Sequence, residues 1–383
     1  MSNGQQPPLD AEARRRLDAV LDRVEDRLRD APEGMHHVGP PATAEALEAS
    51  GVSPGAAQLW SRWNGLELAH GEAIIHPVEA LHDVTESARE EGRIRPGDIV
   101  IGERGRELYL LVSDPHSEGA DVVSLEVGGE RYPEASTVPH LVLGLLGEIA
   151  VLYDEEGEPR GELLDEEGTL SETARRKLIR RRLDLDPDAP LARLGLVRAL
   201  VDAGEFGGAH AEVKQLLRRA PEFAWARFEQ GRIAWAAGQR AVAHRAFVQA
   251  MECGDPAGSR TYFVAFAAAT SDGDTRARLV DHVRTDAPGF VHGLDERIRT
   301  LMDAGRWFDA QMLVDVALAI APTDLGVLGL RGRGSEAKEA KEAKEVRETR
   351  AKEAKEVRET RGKEAKETRG KEAKETRGKE TKE

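Results

Sequence analysis

The chain has 383 residues, 40% hydrophobic and 33% charged, with a formal net charge of −15, a length that allows one to three domains. Residues 331–383 hold 19 basic and 14 acidic side chains, so residues 1–330 carry the whole deficit, a net of −20. That acidic body excludes general affinity for nucleic acid or anionic membrane, since phosphate binding needs clustered positive charge. The lone cysteine, Cys253, excludes an intrachain disulfide and suits a reducing cytoplasm. The first residues lack the basic stretch and apolar core of a signal peptide. No uncharged apolar run reaches the ~18 residues a membrane span needs.

In chain order, Asp10 to Asp30 reads as an amphipathic helix, with Leu17, Val20, Leu21, Val24 and Leu28 at helical spacing. Pro32, Gly34 and Gly39-Pro40-Pro41 then break the chain. Helices follow at about 43–49 and 53–64. The second starts on Ser53-Pro54 and stops at Asn64-Gly65. Short β-rich runs occupy 73–75, 98–102, 107–112 and 121–127, separated by glycine and proline turns. A helix spans Ser136 to Tyr153. This order predicts an α+β domain over 1–155, with a small antiparallel sheet. The acidic, glycine-punctuated stretch 156–170 reads as a linker. Ser171 to Leu185, rich in arginine, reads as a solvated helix leading an all-α array over 171–330.

Within that array the sequence repeats every 34 residues or so. Gly204 recurs as Gly238, Ala209 as Ala243, Val213 as Phe247 and Pro187 as Pro221; the marks return as Gly305, Ala310, Val314 and Pro322. A period of this size with helical patterning predicts stacked helix pairs. The unit between, 257–290, keeps only Pro288 clearly. The tail, 331–383, repeats Lys-Glu-Ala-Lys-Glu-Thr-Arg-Gly. Its only large apolar residues are Val346 and Val357, so it reads as a charged low-complexity segment, part lone helix and part disordered.

Two resemblances add to this reading. Val197, Gly204, Ala209 and Pro221, then Gly231, Gly238, Ala243, Phe247 and Ala250, then Gly305, Ala310, Ala317 and Pro322 match the tetratricopeptide family's pattern. That pattern puts small residues at helix crossings and proline at the unit's end. Residues 1–155 resemble the SUKH superfamily of bacterial immunity proteins and cell-wall regulators. The match rests on Trp60-Ser61-Arg62-Trp63-Asn64-Gly65, Ile74-Ile75-His76-Pro77-Val78-Glu79-Ala80-Leu81, Ile99-Val100-Ile101-Gly102 and Tyr109. Val52-Ser53-Pro54 stands where that family has Leu-Pro. Both resemblances imply protein binding and no catalysis.

With Gly204, Gly238 and Gly305 as position 15 of their units, Arg198, Arg232 and Arg299 share position 9. The tetratricopeptide resemblance implies that position 9 faces the groove. Arginine forks match carboxylates, and Trp225, Phe228 and Trp235 supply apolar anchors beside them. The expected partner is a protein or acidic peptide; the plainer reading is solvated arginines over core aromatics. Trp60, Trp63, Asn64 and Gly65 form a second candidate, again set against simple core packing. Asp184-x-Asp186-x-Asp188 lacks the glycine and glutamate of a calcium loop and reads as helix capping. His36-His37 has no partner at metal-ligand spacing, and phosphate-binding and nucleophile-elbow motifs are absent. No enzyme, metal or cofactor is expected. The sequence predicts a cytoplasmic, bacterial protein-binding adaptor or scaffold; the alternative is an immunity protein neutralising a toxin through residues 1–155.

Overall fold

The computed structural model describes residues 10–165, 168–253, 259–324 and 326–330; the low-complexity tail lies outside the described residues. The chain divides into two compact units, the boundary falling between Ala287 and Pro288.

In the first unit, α1 (Ala11–Asp30) starts where the Asp10 carboxylate accepts from the Ala13 amide at 2.7 Å. Its stripe of Leu17, Val20, Leu21 and Val24 is buried. Helices α2 (Ala44–Ser50) and α3 (Pro54–Trp60) start on the hydroxyls of Thr43 and Ser53, as capping chemistry predicts. Next come α4 (Leu81–Glu90), the single turn α5 (Pro115–Glu118) and α6 (Val138–Leu152). The strands are β1 (His37–Val38), β2 (Leu66–Leu68), β3 (Ala73–Ile75), β4 (Ile99–Arg104), β5 (Glu107–Leu111), β6 (Val122–Leu125) and β7 (Arg131–Ala135). They form one seven-stranded antiparallel sheet in sequence order. Alternation along β5 explains how both faces are covered. Tyr109 and Leu111 join the main core with α1, α3 and α6, whereas Leu108 and Leu110 pack with Ala88 and Val84 of α4.

Helix α6 is buried on nearly every side, as an all-apolar helix must be. Its Gly144 and Gly147 admit the next helix, α7 (Glu172–Leu185). A Cβ on Gly144 would lie 2.5 Å from Arg182 Nε, and one on Gly147 would lie 2.2 Å from Leu185 Cδ1. Leu185 belongs to the main core, and the Arg182 side chain is 4% exposed. The expectation that α7 is a solvated helix is therefore corrected: only its outer face is solvated. Between α6 and α7 the chain folds back twice. Bridges join Tyr153 with Pro159 and Leu164 with Leu170.

The helix pairs follow: α8 (Pro190–Asp202) with α9 (Phe206–Arg219), α10 (Ala224–Ala236) with α11 (Arg240–Glu252), and α12 (Arg260–Thr270) with α13 (Gly273–Asp286). The second unit holds the fourth pair, α14 (Phe290–Asp303) with α15 (Trp307–Ile320). The repeated glycines all do one job. Gly204, Gly238 and Gly305 have φ of 76°, 71° and 70°. Each donates its amide to the carbonyl three residues back, while the next residue donates five back: Glu205 to Leu200, Gln239 to Ala234, Arg306 to Leu301. This is the Schellman ending, which needs the left-handed conformation glycine adopts freely. Prolines follow α7, α9, α13 and α15. Asp186, Ala220, Ala287 and Ala321 precede them outside the helical region, with φ from −122° to −142°, as a residue before proline must be. The degenerate 257–290 unit keeps its helix pair. What it lost is the side-chain signature.

Candidate protein-binding site

On α8 and α10 the 34-residue register brings Arg198 and Arg232 to one carboxylate. Glu229 is buried. It accepts from Arg198 Nε at 3.2 Å and from Arg232 Nη1 at 2.8 Å. Arg232 lies 3.9 Å from Asp202 as well, and its side chain is 10% exposed. Arg198 differs. Its side chain is 40% exposed, and its guanidinium carbon sits 4.8 Å from the centre of the Trp225 ring. Glu229 holds the Nε side, the ring holds the plane, and neither terminal nitrogen makes a hydrogen bond among the described residues. An aimed and partly solvated guanidinium fork results. Such a fork matches a carboxylate in shape and charge.

The aromatics sort by burial. Phe228 is buried among Trp225, Phe247, Tyr262, Phe263 and Phe266, with ring centres 4.8–5.5 Å away. It therefore cannot act as an exposed anchor. Trp225 and Trp235 are half-buried. Trp225 packs edge-on to Phe263 at 4.9 Å, and Arg240 lies over Trp235 at 5.8 Å while donating to the Ala269 carbonyl. Arg299 belongs to the second unit. It is exposed and pairs with Asp295 one turn away on α14 at 2.9 Å. Ala265, the gap in the arginine row, is buried in α12. Glu229, whose counterpart one unit earlier is Gly195, was missed; its spacing of three from Arg232 was the available signal. Tyr262 and Tyr132 were missed too. Tyr132 meets Phe223 edge-on at 6.5 Å. Burial and its bonded Glu130 hold its hydroxyl well above the usual tyrosine pKa, against the pull of Arg198.

The second candidate is architectural. Trp60 is wholly buried and donates Nε1–H to the His76 carbonyl at 2.8 Å. Asn64 clamps the loop after β3: its Oδ1 accepts from the Val78 amide at 2.7 Å and its Nδ2 donates to Glu79 at 2.8 Å. Gly65 has a φ of 96°, and a Cβ there would meet the Pro77 nitrogen at 3.2 Å. Trp63 is half-buried against the main core. Trp60, Asn64 and Gly65 thus hold the sheet's first strands in place.

One cluster has the residue types of acyl-transfer chemistry. Ser136 Oγ donates to Asp186 at 2.9 Å and lies 3.1 Å from His140 Nδ1. The carboxylate holds the serine rather than the histidine, so the connectivity of a Ser-His-Asp relay is missing. Asp186 instead ties α7's end to α6's start, accepting from the Ser136 and Asp188 amides too. The capping expectation for this acidic triplet is corrected: α8 starts from Ala189 without a side-chain cap, and Asp186 reaches across to Ser136 instead. No group of three metal-ligating side chains occurs among the described residues. No described helix is long and apolar enough to cross a membrane.

No family model matches the chain, and no curated protein matches it. Among solved structures, one match is a crystal structure of YrrB, described as a TPR protein with an unusual peptide-binding site. It shares 18% identity over 51% of this chain and 91% of that one, at a TM-score of 0.29. Likeness at that level carries no argument. The helix-pair repeat stands on the glycine and proline geometry above, and none of these comparisons supports the SUKH resemblance of residues 1–155.

Proposed function

We propose that this chain is a non-enzymatic, cytoplasmic adaptor whose tetratricopeptide-like helix pairs take an acidic segment of a partner protein. The contact centres on Arg198 and runs along Trp225 and Trp235. The carrying observation is the fixed fork: Glu229 and Trp225 orient Arg198 before any partner arrives, which lowers the ordering cost of binding. Arg232 positions Glu229. On this reading residues 1–155 and the array are functional parts of one scaffold. The test is affinity capture from the native source with the full chain as bait. Arg198→Ala should lose the captured partner by at least 10-fold in affinity while melting like the parent. Equal capture by parent and Arg198→Ala overturns the reading.

A further inference from the structure

Helices α1 and α6 pack on each other, and the carboxyl ends of both line one cavity of about 200 Å³. That is smaller than the roughly 300–1,000 Å³ usual for drug-sized ligands. Its floor is apolar: Met35, Leu146 and Ile149 are all buried. Its rim carries both charges. Arg160 is fixed there by the end of α6, donating its amide to the Leu152 carbonyl and its Nε to the Tyr153 carbonyl, each at 2.8 Å. The terminal nitrogens of Arg160 make no hydrogen bond among the described residues, and Glu162 is their ion-pair partner only at 3.8 Å. Asp30 and Ala31 bring the end of α1 to the same rim, and the unpaired carbonyls of a helix end favour a positive group. Asp154 is engaged by its own turn, where Oδ1 accepts from the Glu156 and Glu158 amides at 3.0 and 2.9 Å. Arg27 and Glu155 add one charge of each sign. An apolar floor under a rim of mixed charge suits a small molecule that carries both charges itself.

We infer that this cavity binds a free α-amino acid with an uncharged, apolar side chain. The Arg160 fork takes the carboxylate. Asp30 and the end of α1 take the ammonium, and the side chain lies over Met35, Leu146 and Ile149. A purely anionic ligand would face Asp30 and the helix-end carbonyls unmatched, and a purely cationic one would leave the Arg160 fork unfilled. None of the lining residues belongs to the Arg198 site, so either reading can fail without the other.

The probe is L-leucine, titrated calorimetrically into the full chain beside two analogues that each lack one charged group, 3-methylbutylamine and 4-methylpentanoate. Leucine should bind, and each analogue at least 10-fold more weakly. Ala150→Trp enlarges an exposed residue of the lining; it should abolish leucine binding with an unchanged thermal midpoint. Arg160→Gln should weaken leucine at least 10-fold yet bind 3-methylbutylamine as the parent does, a split that a collapsed cavity would not produce. No leucine binding by the parent chain overturns the inference. So does an analogue that binds as tightly as leucine, undiminished binding by Ala150→Trp, or equal loss of leucine and amine in Arg160→Gln.

Discussion

At the residue scale the decisive side chain is Glu229, one carboxylate serving two guanidiniums. Removing its charge leaves Arg232 buried beside a neutral group, and breaking a buried pair typically costs about 3–5 kcal/mol. Glu229→Gln should therefore lower the urea midpoint by far more than Arg198→Gln, whose side chain is 40% exposed and whose loss should cost under about 1 kcal/mol. Comparable midpoints in the two variants would contradict this account. The arginines were legible in the sequence because position 9 is fixed by the glycines. Glu229 was not, since a carboxylate buried under two cations looks in sequence like any surface helix charge. Trp60 and Asn64 drew notice for a motif, yet their contacts run to the His76 carbonyl and the Val78 amide, partners no local pattern reveals.

At the scale of the element, the pairs are built from the backbone outward. Gly238 has open space where a Cβ would go, so Gly238→Ala pays only for its left-handed φ, about 1–2 kcal/mol. Chemical denaturation should show that loss with no change in the slope of the transition. Substituting Gly207, which is also free of contact and has no positive φ, provides the control, with little effect or slight stabilisation. These endings were readable because glycine and proline act locally. So were α1, through its apolar spacing, and the start of α3, through Ser53-Pro54; its expected stop at Asn64-Gly65 is corrected, because the helix ends at Trp60 and Asn64 turns to the loop after β3. Strands β1 and β2 were not, having two and three residues; so short a run shows no alternation, and only pairing defines them, β1 with β2 and β2 with β3. Helix α4 was passed over because its buried positions, Leu81, Thr85 and Ala88, include only one large apolar residue.

At the scale of the whole molecule, the sheet and the first helix pairs share a polar junction. Arg182 reaches Glu134 of β7 at 2.6 Å and Glu148 of α6 at 2.9 Å; Arg104 joins Glu148 to Glu72. Burial pushes the Glu134 carboxyl up to about 7, outweighing the pull of Arg182. A carboxyl raised in the folded state binds its proton more tightly there than in the unfolded chain. Its contribution is fully present below the ordinary carboxylate range and is lost as pH rises towards 7. Urea unfolding at pH 5.5 and pH 8 should show the parent losing stability over that interval, and Glu134→Gln losing less. Parallel losses would remove Glu134 from the explanation. The sequence showed an acidic stretch and a basic helix there, and composition alone reads as a linker and a solvated leader. Nothing local signals that Gly144 and Gly147 admit α7.

The seating of α7 gives the array a direction. A stack of helix pairs can in principle gain or lose units at either end, since each touches only its neighbours. Here the face that would receive a unit ahead of α8 is already filled by α7, whose Leu185 belongs to the sheet's own core. Duplication of a pair between α8 and α13 preserves that junction, whereas an insertion ahead of α7 would sever Arg182 and Asp186 from their partners. Length variants of this protein should therefore differ after residue 190 and agree before it.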